Sequence, residues 1–223
     1  MTDADAGIQT VYADNHLLVL NKPAGLLSVP GRGEDKQDCL SRRAQQRYPD
    51  ALVVHRLDMA TSGLLLMARG GAMQVSLSRL FASRAIHKRY VAVVEGDLHA
   101  NQLAQADCEG WRLIDLPISV DWPRRPLRTI NLSCGKPSQT RWRWVCCHPT
   151  LNATRIELEP LTGRSHQLRV HLQALGHPIL GDGLYAPASV QAKAPRLLLH
   201  AAALTFVHPH NQRPLTFECS ADF

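Results

Sequence analysis

The chain has 223 residues, 45% hydrophobic and 20% charged, a make-up that excludes a disordered or fibrous protein and allows a substantial core. Lys and Arg outnumber Asp and Glu by 25 to 19, a formal +6 that favours a polyanionic partner without naming one. No apolar run approaches a membrane span, no apolar leader follows Met1, and the six cysteines hold no C-x-x-C pair. A membrane protein, a zinc module and a disulfide scaffold are disfavoured, and a cytoplasmic chain with reduced thiols is expected.

Residues 1–8 read as a disordered tail and residues 9–223 as one domain, without repeats or an evident linker. Residues 9–12 and 17–21 flank Ala13-Asp14-Asn15, the turn of a hairpin. Pro23, Gly25, Pro30, Gly31 and Gly33 mark a long loop. Asp38 is placed to cap a helix that runs through Leu40 and Ala44 and stops before Pro49. Residues 51–54 and 64–68 read as buried strands joined by His55-Arg56-Leu57-Asp58, and after Gly70-Gly71 a helix sets Leu77, Leu80 and Phe81 at helical spacing. Residues 90–94 form an apolar strand, while 140–145 and 154–158 alternate as half-buried antiparallel strands do. Gly163-Arg164-Ser165 opens a helix with Leu168, Leu172 and Leu175 on one face and His166, Arg169 and Gln173 on another, closed by Gly176 and Pro178. Residues 197–207 and 215–219 flank a last turn. The pattern predicts an α+β fold with a mixed, mainly antiparallel central sheet and flanking helices.

The stretch around Asp58 invites chemistry. Two buried runs hold a short polar loop between them, and rigid strands fix the position of an acidic side chain there. Thr61 or Ser62 is within reach of the carboxylate, and Gly63 lets the chain re-enter the sheet with φ > 0. Spacing alone leaves another reading open, in which Asp58 caps a turn and Arg56 is a solvated neighbour.

The ordered company of this loop decides between them. His55-Arg56-Leu57-Asp58 followed by Thr61-Ser62-Gly63 resembles the signature of the RluA family of pseudouridine synthases. Lys88-Arg89-Tyr90 resembles the family's tyrosine motif, and the block from Thr162 through Gly163-Arg164-Ser165-His166-Gln167-Leu168-Arg169 to His171 resembles its arginine motif. Gly176-His177-Pro178-Ile179-Leu180-Gly181-Asp182 and Leu197-Leu198-Leu199-His200-Ala201 follow in order. So do Gly25-Leu26-Leu27-Ser28-Val29-Pro30-Gly31 and Asp121-Trp122-Pro123, so that the likeness runs from about Val11 to the C-terminus.

The resemblance implies cleavage of a uridine N1–C1′ bond, rotation of the uracil and formation of a C5–C1′ bond, without cofactor or metal. It makes Asp58 the nucleophile, Arg169 its ion-pair partner and Tyr90 an active-site ring against the target base. It makes Arg56 the side chain that fills the space left by an extruded uridine, with His55, Thr61, Arg164 and His166 as further substrate-binding residues. Physics explains the lone carboxylate: breaking a glycosidic bond builds positive charge on the sugar, which a nearby anion stabilises or traps. Extrusion is needed because the ring cannot turn inside a stack. Likeness within the family further implies structured RNA as partner: hairpin loops of 23S rRNA and the anticodon stem-loop of tRNA, bound by a monomer. About ten residues precede the first strand, so an S4 RNA-binding domain is not expected. A non-catalytic RNA binder and an RNA N-glycosidase are the competing classes. Among eleven histidines, His166 and His171 are five apart and lack an accompanying Glu, which disfavours a metallohydrolase. Arg42-Arg43-Arg47, Arg79-Arg84, Arg124-Arg125-Arg128 and Arg141-Arg143 are the groups expected to track phosphates.

Overall fold

The computed structural model describes residues 7–98 and 106–223. In chain order its elements are β1 (Gln9–Ala13), β2 (Leu17–Lys22), α1 (Leu40–Arg47), β3 (Ala51–Val53), β4 (Ser62–Arg69), α2 (Gly71–Ala82), β5 (His87–Glu95) and β6 (Arg112–Asp115). Then come β7 (Ile118–Val120), β8 (Arg128–Ile130), β9 (Gln139–His148), β10 (Ala153–Pro160), α3 (Gln167–Ala174), α4 (Ala188–Gln191), β11 (Leu199–Val207) and β12 (Pro214–Glu218). The chain divides into two compact units. One takes in the described residues up to Lys88 together with His200–Asp222, the other the described residues of Arg89–Leu199 and Phe223. Of the expected N-terminal tail, residues 1–6 lie outside the described residues, and Ile8 is buried.

In the first unit β1 pairs β2, β2 pairs β4, and β11 pairs β12, all antiparallel, while β4 and β11 run parallel. β4 is buried from Ser62 to Ala68, which is why Leu64–Ala68 is a continuous apolar run rather than an alternating one. One of its edges lies along β2. The other is shared: β3 takes Met67, Ala68 and Arg69, and β11 takes Ser62 and Gly63. The chain peels off between these two partners, and the peeled segment is the loop carrying Asp58. Met73 and Leu77 of α2 close the core over Leu17, Val19, Leu64 and Leu66.

Helix α1 lies where expected, but Asp38 does not cap it. Cys39 is the N-cap residue, without a side-chain cap, because the first amides already have acceptors: Leu40 N–H donates to Leu27 O at 2.8 Å and Ser41 N–H to Ser28 O at 3.2 Å. Asp38 is left to grip Arg43 instead, at 2.7 and 2.6 Å.

In the second unit the antiparallel order is β5-β10-β9-β6, with β7 and β8 forming a separate small sheet. The strands β6, β7 and β8 are too short, and too interrupted by Pro117, Pro123 and Pro126, to show a period in the sequence. Helix α3 begins at Gln167 rather than at Gly163, since His166 sits in the left-handed region at φ 58°. It ends as expected. Gly176 (φ 84°) lets its own N–H reach Gln173 O and that of His177 reach Leu172 O, the two bonds of a Schellman cap. Among the described residues no helix is long and apolar enough to cross a membrane.

Candidate active site

The loop between β3 and β4 is braced from several sides, all within the first unit. Thr61 N–H donates to the Asp58 carbonyl at 3.1 Å and closes a turn around Met59 and Ala60. Ser28 accepts the Leu57 N–H at 3.1 Å and returns its hydroxyl to Leu57 O at 2.7 Å, and Gly25 N–H donates to Met59 O at 2.8 Å. The long Pro- and Gly-rich loop therefore holds the residue on each side of Asp58. The Asp58 side chain is half-buried and Arg56 is exposed.

Beneath this turn lies Lys22, fully buried at the end of β2. Its ammonium donates to the carbonyls of Pro23, Leu26 and Met59 at 2.8, 2.7 and 3.0 Å. Burial draws its pKa down to about 8, and the negative field of Asp58 opposes the shift. A buried cation thus sits within the field of the carboxylate and ties both arms of the loop together. Lys22 was not among the residues singled out from sequence, although a lysine ending the apolar run Leu17-Leu18-Val19-Leu20 was a readable sign.

His55 fills the gap between the two partners of β4. Its Nε2 accepts the Leu66 N–H at 2.8 Å, the strand amide left uncovered between β3 and β11, and its ring packs on Phe81 at 4.5 Å. Burial, and secondarily the charge of Lys88, lowers its pKa to about 3, so the ring is neutral at ordinary pH. Gly63 has φ 108°, as expected, and a side chain there would place Cβ 2.3 Å from Ala201 O. Ser62 Oγ bonds His200 Nδ1 at 2.8 Å, and His200 Nε2 reaches Cys219 O at 3.1 Å. The Cys219 carbonyl can only accept, so with a neutral imidazole Ser62 is the donor of the pair.

The second unit holds the other candidate residues. Arg169, 4% exposed, donates through Nε and Nη2 to the two oxygens of the fully buried Asp182 at 2.8 and 2.6 Å. Asp182 Oδ1 also accepts the N–H of Leu184 and of Tyr185. The carboxylate that closes this turn is therefore also the anchor of the arginine. The Arg169 guanidinium lies 5.0 Å from the centre of the Tyr185 ring, and Tyr185 Oη bonds His166 Nδ1 at 2.6 Å.

Gln167 locks the approach to α3. Its Oε1 accepts Thr162 Oγ1 and the Arg164 N–H at 2.8 and 3.0 Å, while its Nε2 donates to Gln139 O and Thr140 Oγ1 at 2.9 and 3.0 Å. The Thr140 hydroxyl donates to His171 Nδ1 at 2.9 Å, and His171 Nε2 donates to Leu116 O at 2.9 Å. Every donor in this buried chain meets an acceptor, which requires a neutral His171; its pKa is lowered by burial. Arg164 remains exposed, and Tyr90, half-buried on β5, stands opposite Leu158.

The expected basic groups divide. Arg141 and Arg143 are engaged with Glu159, Asp107 and Glu157 and lie over the Trp111 ring, so they serve the sheet.

A model of the RNA pseudouridylate synthase family matches residues 16–174. The dual-specificity RNA pseudouridine synthase RluA of Escherichia coli (strain K12) is 49% identical over 213 residues, covering 96% of this chain and 93% of its own. This chain belongs to the RNA pseudouridylate synthase family. The similarly named protein of Yersinia pestis is 47% identical, with 96% and 98% covered. The solved structure of human RNA Pseudouridylate Synthase Domain Containing 1 aligns over 100% of this chain and 87% of its own, at 28% identity and a TM-score of 0.78. As an RNA pseudouridine synthase, the chain is an isomerase of RNA uridines, and the predicted α+β fold is the one it has.

Proposed function

We propose that this synthase isomerises specific uridines both in hairpin loops of 23S rRNA and in the anticodon stem-loop of tRNA, with Asp58 as its nucleophile. The observation that carries the assignment of Asp58 is the loop itself: a half-buried carboxylate in a turn held at Leu57, Met59 and Thr61, in the field of a buried lysine. The near-full-length identity to relatives named as dual-specificity enzymes supports the two substrates.

In this reading Asp58 traps the electron-poor fragment as the N1–C1′ bond breaks, and Arg169 pairs with the carboxylate and aims it. Tyr90 packs against the uracil and assists removal of the C5 proton once the C5–C1′ bond has formed. Arg56, exposed at the rim of the loop, fills the place of the extruded uridine, and Arg164 meets the RNA backbone. His55, Thr61 and His166 serve substrate binding by holding the loops that carry these side chains. The reaction needs no cofactor, and the enzyme acts as a cytoplasmic monomer.

The test is tritium release from C5-labelled uridine in total tRNA and in rRNA. The wild type should release tritium from both and leave pseudouridine, and Asp58→Asn should release none while keeping its fold. Free uracil with an abasic site would indicate a glycosidase instead, and binding without tritium release a non-catalytic module.

A further inference from the structure

The second unit carries an ordered, arginine-rich loop between β7 and β8 that the reaction has not used. Asp121 closes it, donating its N–H to Leu127 O at 3.1 Å and gripping Arg124 through Nε and Nη2 at 2.9 and 2.7 Å. At its tip Trp122 is 68% exposed, whereas Trp111 and Trp142 are buried and Trp144 is half-buried. The Arg125 guanidinium lies 3.4 Å from the centre of a Trp122 ring. Even with the guanidinium over one face of the indole, most of Trp122 stays exposed. Among the described residues neither Arg125 nor Arg128 has an acidic partner, in contrast to Arg141 and Arg143.

The root of the loop is fixed to the candidate site. Leu127 and Ile130 pack on Ile118, Val170 and Tyr185, and Arg128 N–H donates to Tyr185 Oη at 2.9 Å. Tyr185 is also the ring beneath Arg169. One residue thus sets both the arginine and the loop.

We propose that this loop reads the substrate RNA, with Trp122 stacking on an unpaired base and Arg125 and Arg128 set against the adjoining phosphates. A large exposed aromatic surface backed by a cation and flanked by uncompensated arginines fits a single-stranded nucleotide, whose flat base and anionic backbone it complements. The inference rests on the RNA-modifying reading above and adds the element that recognises the RNA loop.

The probes are a synthetic anticodon stem-loop and a blunt RNA duplex of equal length. The stem-loop should quench the fluorescence of Trp122, the exposed indole, and Trp122→Phe should lose most of that quenching. Trp122→Ala should raise KM for the stem-loop roughly ten-fold, as loss of one base–aromatic stack predicts, with kcat at saturating RNA unchanged. Arg125→Ala should lower the salt slope of binding by about one. An unchanged KM in Trp122→Ala, quenching that survives in Trp122→Phe, or equal quenching by the duplex would each overturn the proposal. Should the wild type release no tritium, the enzymatic reading falls, and the quenching measurements still decide the loop's role.

Discussion

Arg169 and Asp182, thirteen residues apart, clasp each other through two charge-assisted hydrogen bonds of 2.8 and 2.6 Å with their side chains 4% and 0% exposed. A buried pair of this kind adds little over a well-packed apolar one, but neutralising Asp182 takes two charge-assisted bonds away from the buried guanidinium. Asp182→Asn should therefore cost roughly 3 kcal/mol in urea unfolding, and tritium release should fall with it, because Asp182 sets the direction in which Arg169 points. An unfolding midpoint equal to that of the wild type would show that the guanidinium has another sufficient anchor.

Gly63 and Gly25 both have positive φ, 108° and 84°, yet alanine should behave differently at each. At Gly25 the space around a new Cβ is open, and only the backbone conformation is strained, a cost of about 1 kcal/mol. At Gly63 the Cβ would meet the oxygen, nitrogen and carbon of Ala201 within 2.8 Å, so the parallel pairing of β4 with β11 must open. Gly63→Ala should cost well over 3 kcal/mol or prevent folding, against a near-native Gly25→Ala. Chemical denaturation of the two variants side by side makes the comparison.

The elements that carry the core were legible because burial leaves a mark: continuous apolar runs in β2 and β4, helical spacing in α2, and alternation in β9 and β10. What was illegible is what partners decide. Nothing local says that Leu27 and Ser28 would satisfy the first amides of α1 and release Asp38, or that Gln167 would serve four partners and α3 would begin only there rather than at Gly163. In the site, the chain segments were readable as motifs, and their supports were not. Ser28, His200 and Tyr185 lie far along the chain from the residues they hold, so only the fold brings them to their places.

Lys22 gives the loop a pH signature. Its folded pKa is about 8 against 10.5 ordinarily, so between these values the unfolded chain holds a proton that the folded chain has released. Folding stability from this group therefore rises with pH across that window, by up to about 1.4 kcal/mol per unit, and the burden of the buried charge is complete below about pH 8. Lys22→Met should abolish this rise. Near neutral pH it should also destabilise the protein by roughly 2 kcal/mol, since the carbonyls of Pro23, Leu26 and Met59 lose their donor. The difference in unfolding free energy between wild type and variant, followed from about pH 7 to about pH 10, checks both parts.

His55 should produce the mirror effect in acid. Its folded pKa is about 3 against 6.5 ordinarily, because a charged ring would be buried and its Nε2 is committed as acceptor to the Leu66 N–H. Below about pH 6.5 the unfolded chain takes up a proton that the folded chain refuses until about pH 3. Stability from this group is therefore intact above 6.5 and declines as pH falls through that interval, by up to about 1.4 kcal/mol per unit. His55→Phe keeps a ring against Phe81 but strands the Leu66 amide, so it should be less stable by roughly 1–3 kcal/mol at neutral pH. It should also lack the acid slope. The urea midpoints of the two proteins should therefore stand apart near neutrality and converge on acidification, since groups common to both cancel. Parallel curves would mean that His55 takes up its proton without disturbing the loop, and the tie between its neutrality and the placement of Asp58 would fail.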